Sequence, residues 1–277
     1  MSSITSSKKH PLFWVLLLII TVVTLFPIYW ISVTSLKSPV EVISSRPTML
    51  PQAPTLENYV SVVKSGFFRN MFNSLLVAVS ATLLSLTLST LASYALVRHN
   101  FPYRGNSLFL VWVLVVKILP PVVLAIPLYS VFIKMGLLNS RLGLIFVYQV
   151  YTLPYCIWMI FGFLKALPET FEEAAMIDGA GRFYILTRIV LPLARTGIIA
   201  TSIFSVIAAW DEFLFALLFI RTPSLQTLPL VIVNYIGEYE TLWGELMGIG
   251  LLTTLPVLFF SSYVYKYYTQ GFSVSLK

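Results

Sequence analysis

The chain has 277 residues, of which 58% are hydrophobic and 10% charged, with a mean hydropathy of +0.87. Soluble domains carry about 25% charged residues, so these proportions exclude a water-facing globular surface and point to an integral membrane protein. The net charge of +7 is scattered over loops, which argues against nucleic-acid binding, and one cysteine and two histidines are too few for a disulfide framework or a Cys- or His-ligated metal site.

Six apolar segments, residues 12–34, 71–97, 107–133, 142–164, 196–220 and 246–267, are each long enough to cross a bilayer, which takes about 20 residues. They predict an all-α protein with six transmembrane helices. The first segment follows Lys8 and Lys9, but it exceeds the roughly 7–15 residues of a signal core and lacks a small-x-small site. It reads as a retained helix. Residues 1–70 then comprise this helix and an external excursion holding Pro39, Pro47, Pro51 and Pro54, with one short helix near Thr55–Lys64. Residues 71–277 form a core of five spanning helices.

In the second helix Ala81, Ser85, Ser89 and Ser93 recur every four residues, a stripe of small side chains that lets helices approach closely. In the third, Pro120, Pro121 and Pro127 each remove a backbone donor and free the carbonyl four residues earlier. Those carbonyls either line a water-filled path, where they accept hydrogen bonds from a passing solute, or are patched by neighbouring helices. On the fourth, Tyr148, Tyr151, Tyr155 and Trp158 share a face, with Thr152 alongside. A solute path and ordinary helix packing both account for such a stripe.

Three charges fall within spans: Lys117, Asp211 and Glu212. Each costs at least about 2.5–3.5 kcal/mol to insert, so each needs water or a partner. A Lys117–Asp211 pair linking the third and fifth helices and a direct substrate contact are the two readings. The polar loop 221–245 ends in Glu238, Glu240 and Glu245.

Residues 165–195 form the segment that decides the class. From Pro168 to Asp178 the pattern suits a short amphipathic helix, with acids near its positive end; Gly179 and Gly181 then permit a sharp turn. Glu173-Ala174-Ala175, three residues, Gly179, nine residues and Ile189-x-Leu191-Pro192 resemble the EAA loop of permease subunits of binding-protein-dependent ABC importers. Asn73-Ser74, Leu119-Pro120-Pro121 and Trp210-x-Glu212-Phe213 are similar to the carbohydrate-uptake branch that includes the maltose permease subunit. Asp211 departs from the asparagine commoner there.

The resemblance implies a type I ABC importer permease fold with a cytoplasmic EAA coupling helix. Its coupling positions would be Glu172, Glu173, Ala174, Ala175, Asp178, Gly179, Ile189, Leu191 and Pro192. A substrate path would draw on Lys117, Pro120, Pro121, Tyr148, Tyr151, Thr152, Tyr155, Asp211 and Glu212. The chain holds no GxxxxGK[ST] phosphate loop, so no cofactor is expected on it, with ATP and Mg on a partner ATPase. The implied partners are a second permease subunit, two ATPase subunits, an external substrate-binding protein and the lipid bilayer of a prokaryotic cell membrane. With both termini cytoplasmic, the 17 basic residues other than Lys117 divide ten inside to seven outside, a weak positive-inside bias. The cargo expected is a di- or oligosaccharide. Glycerol-phosphate or another small polar solute is the alternative, and an ion-coupled secondary transporter built on the three intramembrane charges is the competing class.

Overall fold

The computed structural model describes residues 11–99, 101–237 and 241–274, with side chains to residue 262. Glu238 and Glu240 lie outside the described residues. One compact unit comprises the chain up to Phe67 together with Asn234–Thr254, and the other comprises Phe68–Val233 and the chain from Leu255 onward.

In the first unit, α1 (Pro11–Ser35) is apolar on all sides and exposed over most of its length. The excursion that follows is tied together by side-chain hydrogen bonds. Ser38 caps α2 (Pro39–Val42), whose first position takes Pro39, where a missing N–H is harmless. The Glu41 carboxylate accepts from Thr48 Oγ1 at 2.6 Å and from the Gln52 amide at 3.1 Å. These bonds, that of Thr48 foremost, hold its carboxyl below the usual carboxylate range. The short helix expected near residues 55–64 is α3 (Glu57–Lys64). Its buried Asn58 donates to the carbonyls of Ser35 and Lys37, both at 2.9 Å. Gly244 backs directly onto that amide, leaving no room for a side chain.

The second unit begins with α4 (Phe67–Arg98), counted from Phe68. Then come α5 (Gly105–Ile118), α6 (Pro121–Lys134), α7 (Arg141–Val147) and α8 (Gln149–Lys165). The connecting segment holds α9 (Thr170–Ile177), α10 (Arg182–Ile185), a π-type turn at Leu186–Val190 and α11 (Leu191–Leu193). After it come α12 (Arg195–Trp210), α13 (Leu214–Phe219) and α14 (Leu228–Val233). The long α15 (Trp243–Val274) is divided between the units.

Among the described residues, α1, α4 and α15 are long and apolar enough to cross a membrane as single helices. Three further spans are bent pairs: α5 with α6 at 97°, α7 with α8 at 42°, and the α10–α11 run with α12 at 77°. The expectation of six spans therefore holds if each pair counts as one. The third span breaks at Leu119–Pro120, whereas Pro127 sits inside α6 without ending it. The fifth expected segment, 196–220, is not one helix. It stops at Trp210 and restarts at Leu214, because the Glu212 carboxylate accepts the amides of Phe215 at 2.8 Å and Ala216 at 3.2 Å and so caps a new helix start.

The small-residue stripe of α4 faces α8. Ser85 donates to Gln149 Oε1 at 2.6 Å, Gln149 Nε2 returns a bond to the Ala81 carbonyl at 3.1 Å, and Ser93 donates to the Ile157 carbonyl at 3.0 Å. Small side chains bring the backbones close enough for these bonds, which replace water in an apolar setting. Gly197 of α12 does the same against the ring of Phe163 on α8, which a Cβ would strike.

Candidate functional site

Two local rules shape the connecting segment. Glu172 and Glu173 lie in the first turn of α9, at its positive end. At the other end, the Ala180 amide reaches back to the Ala175 carbonyl at 2.9 Å and the Gly179 amide to that of Met176 at 3.1 Å. This is a Schellman stop, which needs a left-handed residue after the cap. Gly179 supplies it with φ +84°, and nothing lies within 4 Å of where its Cβ would be. Glycine is required here by backbone conformation, not crowding. Gly181 differs from expectation: its φ of −74° and ψ of 156° are open to any residue, and it serves as the lead-in to α10.

The two adjacent glutamates face opposite ways. Glu173 is exposed, with Ala174, Asp178 and Gly179. Around them Phe171, Met176, Ile177, Phe183 and Tyr184 also stand exposed, Ile177 at 86%. Glu172 is buried. Its Oε1 accepts from Arg98 Nε at 2.7 Å and its Oε2 from the Tyr94 hydroxyl at 2.8 Å. Arg98 also reaches Glu169 at 3.2 Å and the Leu167 carbonyl at 3.3 Å. Ala175, Ile189 and Leu191 pack with Ala180 against an apolar cluster of Ile160, Leu164, Ile185 and Val190. Pro192 lies in the first turn of α11, where its missing N–H is harmless. Sequence reasoning grouped Glu172 with Glu173 and missed Arg98 and Tyr94. The available signal was their i, i+4 spacing at the end of α4.

The intramembrane set divides. Lys117, in the last turn of α5, places its ammonium 4.6 Å from the ring centre of Tyr155, a cation–π contact. Both ion pairs among the described residues belong to Arg98, so Lys117 and Asp211 do not pair. The reason is the broken fifth span: Asp211 follows the last turn of α12 and stays exposed, while Lys117 turns onto α8. Pro120 is exposed, and Tyr151 and Tyr155 are partly so, edge-on to Phe215 and Phe204. Pro121 begins α6, half-buried. Tyr148, Thr152 and Glu212 are instead buried in the chain's own packing. Thr152 shares a 2.5 Å hydrogen bond with Ser85. Of the expected path residues, Lys117, Pro120 and Asp211 are therefore exposed and Tyr151 and Tyr155 partly so.

The 221–228 stretch is pinned rather than loose. Asn73 Nδ2 donates to the carbonyls of Ser224 and Gln226, both at 3.0 Å, and Arg141 Nε donates to Asn73 Oδ1 at 2.9 Å. Ser74 Oγ accepts the Leu228 amide at 2.8 Å. Asn139, which the sequence did not single out, adopts φ 53° and accepts the amides of Arg221 and Thr222 at 3.0 and 2.9 Å.

Residues 86–274 match the family described as the binding-protein-dependent transport system inner membrane component. The chain is 39% identical over 258 residues to the sulfoquinovosyl glycerol transport system permease protein SmoH of Agrobacterium fabrum, covering 93% of this chain and 89% of the relative. It is 33% identical over 258 residues to the trehalose/maltose transport system permease protein MalG of Thermococcus litoralis, covering 92% and 91%. In fold it is similar to a chain of a bacterial ABC transporter involved in the import of the acidic polysaccharide alginate. That likeness has a TM-score of 0.80 at 21% identity and covers 97% of this chain and 99% of the other. The expected permease fold is thus found, and the matched stretch runs through α9, its Gly179 turn and the broken spans on either side. By that match over most of its length, the chain belongs to the family of binding-protein-dependent transport system inner membrane components.

Proposed function

We propose that this chain is a membrane-spanning subunit of an ATP-driven importer that moves a di- or oligosaccharide by alternating access. The observation that carries the reading is α9. It is a short helix stopped by a Schellman turn, fixed on one side through Glu172, and presenting Glu173, Ala174 and an exposed apolar fringe on the other. Such a face is costly in water unless a partner covers it. The chain has no phosphate-cradling loop, so ATP and Mg are bound by a separate pair of ATPase subunits on the cytoplasmic side, where α9 and both termini lie. A second permease chain completes the path, and an external binding protein delivers the solute. This chain contributes no catalytic step.

In this mechanism ATP binding closes the ATPase pair, α9 moves with it, and the bent spans swing to open the path outward. Tyr151 and Tyr155 offer ring faces to a sugar, while Lys117 and Asp211 offer a donor and an acceptor. The similarity to transport permeases for sulfoquinovosyl glycerol and for trehalose/maltose supports a glycoside as cargo. A second reading, an anionic solute such as glycerol-phosphate, is favoured by Lys117, whose ammonium has no carboxylate within ion-pair distance among the described residues. The test is co-purification of the tagged chain in mild detergent, followed by ATP hydrolysis and uptake in liposomes with and without binding protein. A single chain that transports without ATP would refute the proposal.

A further inference from the structure

We infer that Arg98 and Tyr94 of α4 form with Glu172 a clasp that carries the displacement of α9 directly into α4, making both of them positioning residues of the transport cycle. The inference rests on the importer reading above. The backbone ties α9 only to its chain neighbours, α8 on one side and the α10–α12 run on the other. α4 lies 74 and 78 residues away along the chain at the two contact points. Beyond this cluster the described contacts between the end of α4 and the connecting segment are apolar side chains, which slide past one another at little cost, and one exposed hydrogen bond from Arg182 of α10 to His99, the residue after α4.

The clasp is directional and complete. Both carboxylate oxygens of Glu172 are engaged, and Arg98 spends its Nε on Glu172, one terminal nitrogen on Glu169 and the other on the Leu167 carbonyl. The side chains of Glu172 and Arg98 are 7% and 11% exposed, so water does not readily replace either partner once they separate. A buried ion pair adds little net stability over apolar packing of the same volume. Stability alone therefore gives no reason for this one, which sits where the connecting segment meets a span it does not adjoin. Glu169, 61% exposed, is the outer and weaker member.

The test needs no solute. The complex of this chain with its ATPase subunits is purified with Cys156→Ser and spin labels at Thr170→Cys of α9 and Leu91→Cys of α4. The label distance is read before and after trapping with ATP and vanadate. With the clasp intact the distance stays constant on trapping. In Glu172→Gln, and in Arg98→Lys, which keeps the charge but loses the forked geometry, it changes by more than about 2 Å, the scale of helix shifts in switching proteins. Glu169→Gln behaves as the unsubstituted chain. A change of that size on trapping in the unsubstituted chain overturns the clasp even if no variant assembles, as does a constant distance in Glu172→Gln. Failure of the purified complex to hydrolyse ATP or to trap vanadate overturns the importer reading itself, and the clasp with it.

Discussion

Replacing Gly179 by alanine separates backbone conformation from crowding as the reason for glycine in the connecting segment. The residue holds φ +84°, and an added Cβ meets nothing within 4 Å. The whole cost is then that of a left-handed L-residue, about 1–2 kcal/mol. That shifts the closed turn against its open alternatives by a factor of about 5–30. Asparagine, which tolerates this conformation better, should fall between glycine and alanine, and valine should be worst. Gly181→Ala is the internal control, because its φ of −74° is ordinary and its Cβ position is equally open. Initial rates of ATP-driven uptake at matched membrane levels should rank glycine, asparagine, alanine, valine at position 179, with alanine reduced by at most that factor. Gly181→Ala should match the unsubstituted chain. Equal rates for all four residues at 179, or equal losses at 179 and 181, would refute the conformational reasoning.

At Gly197 the opposite physics applies: alanine there drives a Cβ into the Phe163 ring. Overpacking should cost about 1–3 kcal/mol, seen as a lower unfolding midpoint in detergent and partly recovered by Phe163→Ala. Lys117→Met and Asp211→Asn should be additive in the same assay, with a coupling below about 0.5 kcal/mol, as for residues sharing no partner; a larger coupling would restore the ion pair that the structure lacks. Glu41 is lowered by its hydrogen bonds, so its contribution is present above the ordinary carboxylate value and is lost as pH falls through the depressed one. Hydrogen exchange at the Gln52 amide, corrected for its intrinsic rate, should quicken over that acid range, and Glu41→Gln should remove the dependence.

Much of this protein could be read from its residues because membranes impose coarse, local constraints. The length and polarity of each apolar run gave the spans, since backbone groups in lipid must be bonded within their own helix. The spacing from Glu173 to Pro192 marked the connecting segment, and Gly179 its turn, because a Schellman stop is a property of a few consecutive residues. The small stripe of α4 announced a helix contact for the same reason. What stayed hidden depends on which side chains meet across distance. Nothing local distinguishes Glu172 from Glu173, yet tertiary packing turns one onto Arg98 and Tyr94 and leaves the other exposed. Periodicity likewise put Tyr148, Tyr151 and Tyr155 on one face, but only tertiary packing decides that Tyr148 is core while its companions stay partly exposed. Counting residues along ideal helices allowed Lys117 to meet Asp211. The break made by the Glu212 cap and the bend at Leu119–Pro120 set them apart, since the direction of a helix after a break is fixed by what it packs against and not by the residues at the break.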